Sequence, residues 1–179
     1  MVLVALVTGQ PTSGTSNSEL SQATDSGEYS GVTVEIVPAP TVQDVLLSVC
    51  EMNGYGQECA QTLLGMLWNE SSNVFDAVGD HGAARGYFQI HYTLHNITTA
   101  CAEDLVCSAN WTIQYLERNG YPDYVNYAVQ CHNGCNATNG YAARAARNGK
   151  RLWNQPLEIN QEAPIDLTQL EPIQLAMVE

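Results

Sequence analysis

The sequence has few positive charges, with 6 Lys and Arg against 19 Asp and Glu in 179 residues and a formal net charge of −13. Because the phosphates of nucleic acids require a basic surface, this shortage argues against a nucleic-acid-binding protein. The chain also lacks an apolar run of the roughly 18 residues that a membrane-spanning helix needs; its longest run covers residues 2–7. It contains no internal repeat. Hydrophobic residues still make up 45%, which is enough for one packed core.

The acidic residues are concentrated at the two ends of the chain. Residues 45–155 hold nine acids and all six bases, whereas the ends hold the other ten acids and no base. We therefore predict three segments. Residues 1–40 begin with an apolar run that lacks the positive flank of a secretory signal. An acidic linker rich in Ser, Thr and Gly follows, with a short strand-like pattern at 32–37. Residues 41–155 are a folded domain, and 156–179 are an acidic tail, for which a spacer is favoured over a docking segment.

The six cysteines all lie in the middle segment, in three local pairs. An even number of clustered cysteines predicts three disulfides formed in an oxidising compartment, with pairing of neighbours as the first of the 15 possible arrangements. The alternatives are free buried thiols and a metal site in the Cys-His-Asn-Gly-Cys segment at 131–135. No second Cys/His pair has the spacing of a structural zinc site, and the four histidines form no ligand pattern. No metal or cofactor is therefore predicted. The cysteines are Cys50, Cys59, Cys101, Cys107, Cys131 and Cys135.

Residues 41–153 have the apolar spacing of helices, so the predicted fold is mainly α with at most a small β element, flanked by low-order tails. Thr41 and Asp44 fit a capping box at the start of the first helix. Gly79 and Gly82 mark an irregular loop, and residues 87–90 are β-favouring but few. Further helices are predicted over about 57–70 and 100–118. Another helix is predicted to begin with Pro122 in its first turn. The last predicted helix covers 140–148, with Gly149 as the residue after its last turn.

Glu70 lies at the end of the most apolar predicted helix, directly after Leu-Trp-Asn at 67–69. Loss of hydration beside apolar side chains raises the pKa of a carboxyl group. A glutamic acid that stays protonated near neutral pH can donate its proton to a leaving oxygen. The alternative is an ordinary solvated residue at a helix end.

The sequence around Glu70 resembles the catalytic domain of soluble lytic transglycosylases, a family of the lysozyme-like superfamily that cleaves peptidoglycan. The resemblance rests on Glu-Ser at 70–71, a Gly-rich loop, and Gly-Tyr-Phe-Gln-Ile at 86–90, and it covers about 45–153. It implies a lysozyme-like fold in which Glu70 is the single catalytic acid and base. Ser71 matches the neighbouring hydroxyl, Gly86 the glycine that lets the backbone approach the sugar, and Gln89 an amide beside the cleft.

A later segment of the family, Ala-Tyr-Asn-Ala-Gly, corresponds loosely to residues 128–134. Here Cys131 stands in place of the Tyr and His132 in place of the Asn. Tyr127 would supply the aromatic ring from the preceding turn. Tyr87 and Tyr127 are therefore the two tyrosines predicted to stack on sugar rings.

The resemblance implies a reaction with one carboxyl group. Glu70 would protonate the glycosidic oxygen between N-acetylmuramic acid and N-acetylglucosamine, the N-acetyl group of the substrate would stabilise the cationic carbon, and a 1,6-anhydro product would form. Asp76 or Asp80 could instead serve as a second carboxylate, which would make the protein a hydrolysing muramidase. Asp80 could also simply cap its loop. A third reading is a wall-binding module without activity.

The expected partner is the glycan strand of peptidoglycan, bound by a monomer that is secreted or held in the cell envelope of a bacterial or phage-like source. Four of the six bases fall within residues 144–151 and lie largely on one helical face. They are expected to form a solvated face that pairs with the acidic tails, in preference to a surface for anionic wall polymers. These bases are Arg144, Arg147, Lys150 and Arg151.

Overall fold

The structure is a computed structural model that describes residues 38–169. The predicted linker at 1–40, with its strand-like pattern, therefore lies almost wholly outside the described residues. The described part is mainly helical with one small sheet, which confirms the predicted fold class. No helix between residues 38 and 169 has the length and apolarity to cross a bilayer. The helices are α1 (Val42–Met52), α2 (Gln57–Ser71), α3 (Thr99–Glu103), α4 (Leu105–Arg118), α5 (Val125–His132) and α6 (Tyr141–Leu152).

The sheet has three antiparallel strands of two residues each, in the order β1 (Val78–Gly79), β2 (Ala84–Arg85) and β3 (Ile90–His91). A short 3-10 turn at Asp80–Gly82 joins the first two strands. Residues 86–89 form the turn between the second and third, so only Ile90 of the β-favouring run at 87–90 lies in a strand. The sheet thus fills the irregular glycine-containing stretch between the end of α2 and the start of α3.

The core is built around α2, whose apolar side chains are buried on nearly every side. Leu63, Leu64, Met66 and Leu67 are all fully buried. A helix that is apolar around most of its circumference belongs in the interior of a domain. Glu70 therefore sits one turn beyond the most buried segment of the protein.

Helices α2 and α6 pack closely because each contributes a glycine to the contact. A Cβ atom on Gly65 would overlap the backbone carbonyl of Ala145, and one on Gly149 would overlap the backbone carbonyl of Gln61. The prediction that Gly149 ends the last helix is therefore wrong. The helix continues to Leu152, and Gly149 lies inside it where the backbone of α2 comes too near for any side chain.

Side-chain caps determine where α1 and α4 begin. Thr41 and Asp44 form the predicted capping box at the start of α1. The single helix predicted over 100–118 is instead divided at Asp104, which has extended backbone angles and accepts a hydrogen bond from the Cys107 amide at 2.8 Å. The prediction for Pro122 is also wrong, since the chain turns at 119–124 and α5 begins only at Val125.

Three disulfides link neighbouring cysteines, as the first-choice pairing predicted. Cys50–Cys59 joins the end of α1 to the start of α2, and Cys101–Cys107 joins α3 to α4. Cys131–Cys135 connects the end of α5 to the loop that follows it, which uses both sulfur atoms of the alternative metal site.

The prediction of a spacer after residue 155 does not hold for residues 156–169, which pack on the helical domain. The Val42 amide donates to the Leu157 carbonyl at 2.9 Å, and the Gln161 side chain accepts a hydrogen bond from the Leu105 amide at 2.8 Å. Apolar side chains of this stretch alternate with exposed ones, which is the period of an extended chain. A search for helical spacing misses that pattern. The core-facing residues are Leu157, Ile159, Ile165 and Leu167.

Candidate active site

A cleft of about 270 Å³ opens beside the end of α2. Glu70 and His132 lie at its base, and the sheet forms one wall with Asp80, Gln89 and His91. Helix α4 and the loop before α3 form the opposite wall. The cleft therefore brings together residues from parts of the sequence that are more than 60 positions apart.

The Glu70 side chain is largely enclosed, with 14% of its surface exposed. Its Oε1 atom is buried and has no hydrogen-bond partner among residues 38–169. Burial raises the pKa of Glu70, and the charge of Asp80 adds to this shift, while His132 and the Tyr141 hydroxyl act in the opposite direction. The direction agrees with the expectation from sequence, and a carboxyl of this kind retains its proton to higher pH than an exposed glutamate does.

Tyr141, the first residue of α6, lies beside Glu70. Its hydroxyl is buried and, within the described part of the chain, has no hydrogen-bond partner. Burial and the neighbouring Glu70 carboxyl raise the pKa of Tyr141, so its hydroxyl stays protonated. Tyr141 is not among the site residues predicted from the sequence.

His132 is the second polar group at the base of the cleft. Only 7% of its side chain is exposed, and its Nε2 atom lies 3.8 Å from Oε1 of Glu70. The same nitrogen is 2.8 Å from the backbone carbonyl oxygen of Phe88. His132 was not among the site residues selected from the sequence. Its one signal was its place in the segment at 128–134, where the transglycosylase resemblance aligns it with an Asn.

The wall formed by α4 is aromatic. The rings of Trp111 and Tyr115 are stacked with centroids 5.4 Å apart and an interplanar angle of 20°, and His95 packs against Trp111 at 4.9 Å. Trp111 and Tyr115 are four residues apart on one helix and therefore share a face. That spacing is the signal from which the wall could have been found.

The two candidate second carboxylates have different positions. Asp80 lines the cleft, with 73% of its side chain exposed, and it lies 3.4 Å from Nε2 of His91. Asp80 and the following residue, His81, both have left-handed backbone angles, with φ of 45° and 53°. Asp76 is exposed and is not part of the cleft.

Of the residues matched to the transglycosylase motifs, Gln89 lines the cleft but Ser71 and Gly86 do not. The Gln89 amide nitrogen donates to the carbonyl oxygens of Ala77 at 2.9 Å and Gly86 at 3.0 Å, so it holds the sheet loops together. The Ser71 hydroxyl donates to the Tyr87 carbonyl at 2.9 Å. Ser71 therefore connects the end of α2 to the turn at 86–89, and Gln89 connects that turn to the loop before β1.

The expected role of Gly86 in approaching a sugar is not supported. Gly86 has a φ of 77°, and a Cβ at this position would overlap the backbone carbonyl of Ala102. The missing side chain therefore makes room for α3. A glycine required for close approach looks the same in a sequence whether a ligand or another helix is the neighbour.

Neither tyrosine selected for sugar stacking lies in the cleft. The Tyr87 side chain is fully buried in the core, so its ring faces no ligand. Tyr127 is 53% exposed on α5 but is not a cleft residue. The aromatic rings that do line the cleft include those of Trp111 and Tyr115.

The four bases of α6 are all exposed. Among the described residues, no carboxylate lies within ion-pair distance of them. Arg151 packs over the Trp68 ring at 5.8 Å, and Arg144 donates to the Asn139 carbonyl. The expected pairing of this face with the acidic ends involves mostly residues outside 38–169 and stays a prediction.

No protein-family model, curated protein or solved structure matches this chain. The described residues also contain no group of three or more His, Cys, Asp or Glu side chains that could hold a metal ion.

Proposed function

We propose that the protein is a peptidoglycan-cleaving lytic transglycosylase in which Glu70 is the single general acid and base. The observation that carries this proposal is the buried Oε1 atom of Glu70, which faces a cleft and has no hydrogen-bond partner within residues 38–169. An isolated carboxyl with a raised pKa is suited to donate a proton to a leaving oxygen. The three disulfides are compatible with the proposed location outside the cytoplasm.

The reaction needs one proton donor that later becomes a base. Glu70 gives its proton to the glycosidic oxygen as the bond from that oxygen to C1 breaks. The carbonyl oxygen of the substrate's own N-acetyl group stabilises the positive charge at C1. The Glu70 carboxylate then removes the proton of the 6-hydroxyl as O6 bonds to C1, which leaves a 1,6-anhydro end and restores the acid.

The product of purified peptidoglycan digested with the wild-type protein tests this proposal. Mass spectrometry should find fragments that are lighter by one water than those with a reducing end. Reducing ends would indicate a hydrolysing muramidase. Release of no fragments at all would indicate a wall-binding module and would overturn the enzymatic proposal.

The hydrolysing muramidase is the second candidate because Asp80 lines the same cleft. Its exposed carboxylate could activate a water molecule, as the second carboxylate of glycosidases does. Asp76 has no such position.

Replacement of Asp80 by asparagine separates the two reactions. For a transglycosylase we expect Asp80→Asn to change kcat by less than about tenfold, whereas the loss of a catalytic base would reduce it by about 10²- to 10⁴-fold. Asparagine also tolerates the left-handed backbone of this position. Release of fragments from purified peptidoglycan measures the effect, with Asp76→Asn as the control outside the cleft.

The aromatic wall should contribute to binding. We expect Trp111→Ala to raise KM for soluble glycan fragments by about tenfold, because a sugar ring loses a stacking surface, while kcat changes less. Tyr127→Ala is the matched control, since this ring is on the surface away from the cleft. Equal effects of the two substitutions would contradict the assignment of the wall as a sugar platform.

A further inference from the structure

His132 is fixed in its position at the base of the cleft by contacts on several sides. Its ring is stacked on Tyr141 of α6 at 6.2 Å with an interplanar angle of 27°. Tyr115 of α4 meets the same ring edge-to-face at 5.8 Å. With 7% of the side chain exposed, the imidazole has little freedom to turn away from Glu70.

The Phe88 carbonyl determines which nitrogen of His132 carries a proton. A backbone carbonyl only accepts hydrogen bonds, so the 2.8 Å contact requires that Nε2 is protonated and donates. The same Nε2 atom lies 3.8 Å from Oε1 of Glu70, an oxygen with no hydrogen-bond partner among the described residues. His132 therefore presents an N–H group to the carboxyl oxygen while the carbonyl prevents Nε2 from acting as a base.

We propose that His132 is a positioning residue whose Nε2–H stabilises the carboxylate of Glu70 after Glu70 has delivered its proton. This inference rests on the proposed function of Glu70 as an acid and base. No additional proton is needed, because the N–H group that is bound to the Phe88 carbonyl moves toward, or is shared with, Oε1 when that oxygen becomes charged. The N–H group thus acts on the charge that develops during the reaction.

Other groups near this pair act on Glu70 or on His132. The Tyr141 hydroxyl also favours the carboxylate of Glu70, and Asp80 on the sheet side disfavours it. His95 lies within electrostatic range of His132, and the lowered pKa of His95, caused mainly by burial, keeps it neutral to lower pH. Tyr115 presents its ring to His132, because its hydroxyl donates to the Cys131 carbonyl.

The test measures the titration of the Glu70 carboxyl carbon by NMR, with Glu70→Gln identifying the signal. His132→Phe preserves the ring contacts but has no N–H, and His132→Asn retains a donor for the Phe88 carbonyl but is too short to serve Glu70. We expect the titration midpoint of the Glu70 carboxyl to rise by about one pH unit in both variants, since the carboxylate loses a stabilising donor. His81→Asn is the matched control, because His81 is exposed, lies outside the cleft and has the left-handed backbone that Asn favours.

The same variants have a kinetic signature if the protein is active. A carboxyl with a higher pKa is a weaker acid, so kcat should fall by about tenfold or more with little change in KM. The alkaline limb of the pH profile should move to higher pH with the NMR midpoint. A residue that only supports the fold would lower activity without moving that limb.

The NMR titration distinguishes the failure of this inference from the failure of the proposed function. An unchanged Glu70 midpoint in whichever of the two His132 variants folds would overturn the positioning role, whether or not the protein cleaves peptidoglycan. A raised midpoint in a protein that releases no fragments would retain the His132–Glu70 coupling and reject the enzyme. A shift of equal size in His81→Asn would also overturn the inference.

Discussion

Replacement of Glu70 by glutamine is expected to reduce the release of fragments from purified peptidoglycan by about 10²- to 10⁴-fold, the usual contribution of a general acid. Glutamine has nearly the same shape but no proton to give and no carboxylate to take one back. The native Oε1 makes no hydrogen bond to any of residues 38–169, so the amide breaks none there. A zymogram and a thermal melt of the two proteins, side by side, measure activity and folding separately.

Glu58→Gln is the control for this substitution. Glu58 lies on the same helix but is exposed at its start, so it undergoes the same chemical change far from the cleft. It should keep wild-type turnover. If Glu70→Gln retained full turnover with an unchanged melting temperature, Glu70 would not be the acid. Continued binding of Glu70→Gln to peptidoglycan would indicate that the cleft still recognises its ligand without cleaving it.

The largest effect on stability is expected from Gly65→Ala. The new Cβ would overlap the backbone carbonyl of Ala145, and a backbone atom cannot move aside as the end of a flexible side chain can. Helices α2 and α6 must separate, which costs about 3 kcal/mol as in other overpacked cores. The midpoint of urea unfolding should fall, and activity should fall with it, since α2 carries Glu70 and α6 carries Tyr141.

Gly56→Ala is the matched control because it adds the same methyl group to the same helix. A Cβ on Gly56, the residue before α2, meets no atom within 4 Å. Its cost should be that of a poorer helix cap, roughly 1 kcal/mol or less. A Gly65→Ala protein as stable as Gly56→Ala would show that the backbones of α2 and α6 are not in contact at Gly65.

The parts of the fold that depend on local sequence could be predicted. The capping pair Thr41 and Asp44, the span of α2 and the pairing of neighbouring cysteines all follow from residues a few positions apart. The division at Asp104 and the length of α6 were not predicted. The division at Asp104 depends on the extended backbone of a single residue, which is enough to end a helix. Helix α6 continues past Gly149 because this glycine packs against the backbone of Gln61, which is 88 positions away.

The candidate site shows the same division between local and distant information. Glu70 could be selected because its own helix is apolar. Tyr141 could not, since it reaches the cleft from α6, whose packing no local pattern specifies. The signals for the others were weaker: a four-residue spacing for Trp111 and Tyr115, and a motif position for His132. Tyr87 was misplaced for a related reason, because an aromatic ring in a short motif has the same sequence whether it faces a ligand or the core.

The three disulfides each close a small ring, with partners separated by 9, 6 and 4 positions in the chain. In the chain-entropy model such short rings restrict the unfolded protein less than a long one would, so each contributes under about 3 kcal/mol. None of them crosses between α2 and α6. Reducing agents would therefore first loosen the connections between α1 and α2, between α3 and α4, and after α5. The packing of α2 against α6, which positions Glu70 in the cleft, would depend on non-covalent forces alone.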